Sequence, residues 1–203
     1  MPTGVALRDA RSQLLAAGER VLLDGGPAAL TSRTVTDEAG VAKGVLHRHF
    51  ADFDDFLATL VRERIAAIDA WSVELSERAG AGTVIENVCA ALVRIFDPLG
   101  LAIIRLLLSR DELRTRVRAG TGPGIPTLTE AVVGLAAYLL AEQRVGRILA
   151  GAAPAALAPA LVGAGHLLFA GELGGLPDES AVHEVVEAIL VGAEPGPDED
   201  GRG

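Results

Sequence analysis

Apolar residues recur at helical spacing along most of the 203-residue chain. Leu7, Ala10, Leu14, Ala17 and Val21 fall three or four apart, which predicts an amphipathic helix over about 7–24. Gly25-Gly26-Pro27 is expected to end it. Thr31 or Ser32 can cap a short helix through about Glu38, with Val35 and Ala39 on its apolar side. Gly40 supplies a turn, and a third helix follows over about 42–49. Asp52 can cap a fourth, longer helix whose apolar side carries Phe53, Phe56, Leu57, Leu60, Ile65, Ile68, Trp71 and Leu75. After an interruption at Gly80 to Gly82, helical spacing resumes over about 83–97, 99–108, 109–118, 127–145, 154–173 and 178–192. Residues 120–126 (GTGPGIP) read as a surface loop, and residues 194–203 (EPGPDEDGRG) as a disordered tail. No internal repeat and no strand pattern is visible. The expected fold is all-α: a three-helix N-terminal head over 1–52, a helical bundle over 53–193 and a tail over 194–203.

Composition narrows the picture. Half the residues are apolar and 22% are charged, enough for a packed core. The single Cys89 excludes an intrachain disulfide and a Cys-rich zinc site, and fits a reducing compartment. The first residues lack the pattern of a signal peptide, and the most apolar run, Leu99 to Leu108, is too short to span a bilayer and is broken by Arg105. A soluble, cytoplasmic protein with no membrane partner is expected. Net charge is −9, but it is unevenly placed. Residues 1–50 hold six Lys/Arg against five Asp/Glu, and the remainder twelve against twenty-two. Nucleic acid responds to the local face and not to the total.

The cationic stretch GVAKGVLHRHF, residues 40–50, carries the only lysine of the chain. Helix, glycine turn and short helix form the helix-turn-helix pattern. Helical spacing turns Val41, Leu46 and Phe50 towards the first helix, leaving Lys43, Gly44, His47 and Arg48 on the other side. Gly inside a helix costs about 0.5–1 kcal/mol relative to Ala. At Gly44 it makes a flat patch for close approach to base edges or a phosphate. Lys43 and Arg48 can neutralise phosphates or reach guanine. Thr31, Ser32, Arg33 and Thr34 open the preceding helix, where free backbone N–H groups also suit a phosphate.

The stretch Thr31 to Phe50, with the helix before it and FADFDDFL after it, resembles the TetR family of bacterial transcriptional regulators. Thr31, Arg33, Val35, Ala39, Gly40, Val41, Gly44, Leu46, His49 and Phe50 match the family pattern over about a quarter of the chain. The resemblance implies a DNA-binding head that reads a palindromic operator in double-stranded DNA. It extends the interface to Ala42, Val45 and His49, and implies a C-terminal ligand-binding and dimerisation bundle and, by family habit, repression. Three positions depart from the pattern. His47 stands where the family usually has a phosphate-contacting Tyr, Ala42 replaces a Ser that would cap the recognition helix, and Phe53 stands where a Lys is frequent. With Asp52, Asp54 and Asp55 beside it, Phe53 favours an alternative: a helical dimer that binds ligand or protein and whose head has lost specific DNA affinity.

A homodimer reading two half-sites roughly 34–36 Å apart is expected. Its interface candidates are Ala160, Ala164 and Leu168 on one late helix and Val182, Val185, Val186 and Ile189 on the next. A pocket for a largely apolar small-molecule effector can be lined by Trp71, Cys89, Phe96, Ile103, Leu107, Tyr138 and Phe169, with Arg105 or His166 as polar anchors. No catalytic residue, metal or cofactor is expected. There is no Gly-rich phosphate loop, no nucleophile elbow and no H-E-x-x-H, and His47 and His49 sit two apart, on different sides of a helix. Arg114, Arg116 and Arg118 read as solvated surface.

Overall fold

The computed structural model describes residues 4–119, 123–171 and 175–195, with side chains from residue 10 onward. Among the described residues there is no strand. The elements are α1 (Gly4–Ala29), α2 (Ser32–Glu38), a 3-10 turn (Lys43–Val45), α3 (Leu46–His49), α4 (Phe53–Glu77), α5 (Val84–Ile95), α6 (Pro98–Ser109), α7 (Asp111–Arg118), α8 (Leu128–Arg144), α9 (Pro154–Phe169) and α10 (Glu179–Leu190). The chain is all-α, as the periodicity predicts. No helix among the described residues is long and apolar enough to cross a membrane.

The chain packs as two compact units, residues 1–66 with 98–127 and residues 67–97 with 128–203. The first is larger than the 1–52 head, because α6 and α7 join it from the middle of the chain. Its core gathers Leu14, Leu22, Leu30, Val35, Leu46, Phe56, Leu57 and Val61 with Ile103, Leu106, Leu107 and Val117, all buried. Helix α1 crosses α4 closely at Gly18, where a Cβ would meet Phe56 Cζ at 2.6 Å. The second unit is built from α5, α8, α9 and α10 with the end of α4. Its core includes Val88, Leu92, Phe96, Leu135, Tyr138, Leu139, Leu161, Val186 and Leu190. Here Gly134 lets α8 approach α4, since a Cβ would fall 2.0 Å from Ser72 Oγ.

Side-chain caps set several of the helix starts. Thr83 and Glu86 form a reciprocal capping box on α5, and Asp178 caps α10. The helical backbone of α1 breaks at Gly26 (φ 68°, ψ −173°), where Gly25-Gly26-Pro27 is expected to end it, and a short helical turn follows from Pro27 to Ala29. The structure departs from the expected elements in two places. The third helix opens as a 3-10 turn, not an α-turn. Within the expected surface loop, Pro126 is buried and Ile125 packs against the first core, because two apolar side chains gain more from burial than from solvent. Residues 120–122, and 196–203 of the expected tail, lie outside the described residues.

Candidate nucleic-acid interface

The interface is assembled from three short segments. At the start of α2, Thr31 Oγ1 accepts the Thr34 N–H at 3.2 Å, and Thr34 Oγ1 accepts the Thr31 N–H at 3.0 Å. This reciprocal cap leaves Thr31, Arg33 and Thr34 exposed and Ser32 half-buried. Ser32 Oγ is enclosed and has no hydrogen-bond partner among the described residues. Arg33 lies along α2, 3.6 Å from Asp37.

Helix α2 stops because Gly40 adopts φ 65°, a left-handed conformation costly for other residues. The Gly40 N–H then donates to Asp37 O at 3.1 Å, and the Val41 N–H to Thr36 O at 3.0 Å. These two bonds make a Schellman turn, which redirects the chain into Lys43.

Ala42 supplies no side-chain cap, and the first turn over Lys43–Val45 winds as 3-10. The four residues of α3 cannot hold a helix alone. They are held from below. Leu46 and Phe50 are buried, worth about 1.5–3 kcal/mol each. Phe50 meets Phe56 edge-on at 5.1 Å, with the Arg11 guanidinium over its ring at 5.4 Å. With that side anchored, Ala42, Lys43, Gly44, His47 and Arg48 are exposed. Among the described residues, the side chains of Lys43, His47 and Arg48 make no hydrogen bond or ion pair and are open to a partner. Val45 and His49 differ. Val45 packs against the core, and His49 is half-buried with Nε2 enclosed and unpartnered among the described residues. A Cβ on Gly44 would meet nothing within 4 Å, so packing inside the chain does not demand glycine there.

The third segment is the start of α4. Asp52 Oδ1 accepts the Asp55 N–H at 2.6 Å, and Asp55 Oδ2 accepts the Ala51 N–H at 3.1 Å. Two of the three acids are therefore engaged in capping. Arg116 Nη1 of α7 also donates to Asp52 Oδ1, at 3.0 Å. The Asp55 N–H, and after it the Arg116 guanidinium, hold the Asp52 carboxyl below the usual carboxylate range. Phe53 is half-buried and stacks on Phe56 at 5.5 Å.

The nine expected pocket residues are divided between the two units. Ile103 and Leu107 are buried in the first core, and Arg105 is exposed on the same helix. The other six belong to the second unit. Tyr138 is fully buried; its O–H donates to Glu142 Oε1 at 2.6 Å and accepts from Asn87 Nδ2 at 3.0 Å. Burial, and after it the Glu142 carboxylate, push the Tyr138 phenol well above its ordinary range. Glu142, also fully buried, accepts the Gly80 N–H at 3.1 Å and lies 3.6 Å from Arg147 Nη1. Phe96 is buried and stacks with His166 at 5.9 Å and with Phe169 at 5.7 Å. Trp71 is half-buried with Arg94 over its ring. Apolar side chains within one unit pack on each other before they line a void.

Two clefts of ligand size are present in the second unit. One of about 560 Å³ lies between α4 and α8, lined by Ser72, Val73, Val133 and Ala137 with Asp69 and Arg144 at charged positions. None of the nine residues lines it. The other, of about 410 Å³, includes Cys89 with Val93, Arg94, Glu179 and His183. Burial pushes the Cys89 thiol up, which makes it a poor nucleophile.

The expected dimer stripe divides. Val182 and Val186 are buried within their own unit, because α10 packs against α5 and α9 through them. Val185 and Ile189 stay half-exposed on α10. On α9, Ala160 is exposed and Ala164 and Leu168 are half-buried. Leu167, one residue from the expected Leu168, is the large apolar side chain this helix presents, at 48% exposure. Its spacing of four from Gly163 is the signal that could have found it. Among the described residues no group of His, Cys, Asp and Glu is placed to hold a metal ion.

Residues 14–60 match the family model for bacterial regulatory proteins of the tetR family, which takes in α2, the Gly40 turn and α3. The whole fold is similar to that of a TetR-family transcriptional regulator from Agrobacterium tumefaciens, with TM-score 0.70 and 16% identity, over 93% of this chain and 100% of that one. It is also similar to SmeT, the repressor of the Stenotrophomonas maltophilia multidrug efflux pump SmeDEF, with TM-score 0.65 and 18% identity over 92% and 91% of the two chains. FadR of Bacillus subtilis, solved in complex with stearoyl-CoA, gives TM-score 0.66 and 20% identity over 89% of this chain and 98% of that one. No curated protein sequence matches the chain. The sequence match to the tetR family of bacterial regulatory proteins is thus carried by residues 14–60, and the all-α fold is similar to that of solved TetR-family regulators.

Proposed function

We propose that the chain is a DNA-binding transcriptional regulator that acts as a homodimeric repressor on a palindromic operator and is released by a small-molecule effector. The observation that carries this reading is the exposure of Lys43, Gly44, His47 and Arg48 beside the exposed Thr31–Thr34 cap, with Leu46 and Phe50 buried behind them. A recognition helix needs this division, a rigid apolar back and a polar front short of internal partners. Similar proteins support repression and a small-molecule effector. SmeT is a repressor, and FadR accommodates an acyl-CoA. The cleft between α4 and α8, with apolar walls and charged positions at Asp69 and Arg144, suits a largely apolar effector carrying a polar group. Pro159, Ala160, Gly163 and Leu167 on α9, with Val185 and Ile189 on α10, offer a small-residue apolar surface for a second copy.

Duplex binding by two variants tests the head. Lys43→Ala should weaken binding to all sequences and flatten the salt dependence. Arg48→Ala should relax preference at one base position. Unchanged binding in both would mean that the DNA-reading face lies elsewhere. Absence of any duplex binding by the parent protein would favour the second reading, a ligand- or protein-binding dimer whose acidic edge at 52–55 has cost it DNA affinity.

A further inference from the structure

We propose that Arg116 of α7 is a phosphate-binding residue of the DNA interface, supplied from outside the helix-turn-helix. This rests on the DNA-reading assignment of the head. The first observation is charge. Residues 1–66 carry eight Lys/Arg against nine Asp/Glu and are slightly acidic by themselves. Residues 98–127, which pack into the same unit, add five arginines and only two acids. The unit that holds the recognition helix is positive only because α6 and α7 belong to it. The rest of the chain holds five basic residues against sixteen acids.

The second observation is placement. Arg110, just before α7, donates from Nη2 to the Leu30 carbonyl at 3.4 Å, one residue before the Thr31 cap. Arg116 donates to Asp52 at 3.0 Å, two residues beyond Phe50. Arg110 and Arg116 therefore bracket the helix-turn-helix. Asp52 follows Arg48 by four residues, no more than about 14 Å of extended chain. A recognition helix lies in a groove about 12 Å wide with phosphates along both edges, so the Arg116 guanidinium falls within range of one of them.

The third observation is availability. Arg114 is paired with Asp111 at 2.7 Å, and Arg118 Nε donates to the Gly124 carbonyl. Arg116 is 42% exposed and gives one N–H to Asp52. A guanidinium carries five donors, so it can hold Asp52 and a phosphate oxygen together. In doing so it neutralises an acid that would otherwise repel the strand.

The test is the salt dependence of binding to a mixed-sequence duplex, where affinity comes from phosphates and needs no known operator. Arg116→Ala should weaken binding and lower the slope of log K against log salt by about 0.9 per protomer. Arg116→Lys should restore the slope. Asp52→Asn, which keeps the helix cap but removes the charge, should tighten binding. Thermal melts followed by circular dichroism establish that each variant is folded. A wild-type slope in Arg116→Ala, with Lys43→Ala lowering it, overturns the proposal and leaves the head assignment standing. A loss of affinity at unchanged slope also overturns it, reducing Arg116 to a positioning residue. If the parent protein shows no salt-dependent duplex binding, both the proposal and the head assignment fall.

Discussion

Gly44 offers a clean separation between folding and function. Nothing in the chain crowds it and its φ is not in the left-handed region, so a methyl group fits. Gly44→Ala should leave the protein as stable as before, or more stable by about 0.4–1 kcal/mol, because the unfolded chain loses freedom. The same variant should bind DNA more weakly, since the added Cβ faces the approaching duplex. A thermal melt and a duplex titration of one sample check both halves. Equal DNA affinity would mean that no surface comes close to Gly44. The exposure of Lys43, His47 and Arg48 was legible in the sequence because a buried Leu46 and Phe50 fix which side of a short helix is left over. The Arg116–Asp52 bond was not legible. It joins residues 64 apart, and local periodicity carries no information about such a pair. In sequence Arg114, Arg116 and Arg118 are alike; only the fold gives Arg116 a place beside the recognition helix.

Among the elements, the turn between α4 and α5 is held by a buried polar cluster. Glu142 on α8 accepts the Gly80 N–H, and Arg147 Nη2 donates to the Gly82 carbonyl at 2.6 Å. Tyr138 and Asn87 complete the cluster. The Tyr138 phenol is held above its ordinary value near 10, so the folded state keeps a proton that the unfolded state releases. Stability from this residue is therefore present below about pH 10 and is lost as pH rises beyond it. Tyr138 is the only tyrosine in the chain, so tyrosinate absorbance reports it alone. That absorbance should rise together with the loss of helical circular dichroism, and not before it. A phenolate that appears in the folded protein at ordinary alkaline pH would contradict the buried cluster. From sequence alone Tyr138 looked like a pocket aromatic. Its partners lie 51 and 4 residues away, and burial of the whole set turns it into a structural donor. The helices themselves were readable because caps such as Thr31, Asp52, Thr83 and Asp178 sit where the apolar spacing begins.

Taken whole, the chain sets a mildly basic unit carrying the recognition helix against a strongly acidic remainder. On the proposed function, a duplex would attract the basic unit and repel the acidic remainder. The division into units could not be read from the order of the helices, because α6 and α7 leave the middle of the chain to join the head. The same limit applies to α10. Its valines form one stripe in sequence, yet Val182 and Val186 serve the core of their own unit. On the proposed function, one small head reads few base pairs, so specific binding is expected to use two copies on two half-sites. The most direct measurement is selection of random duplexes by the purified protein, followed by sequencing of the bound fraction. The expected result is an enriched inverted repeat with half-sites about one helical turn, or a multiple of it, apart. Failure of folded protein to enrich any sequence at low salt would contradict a DNA reader.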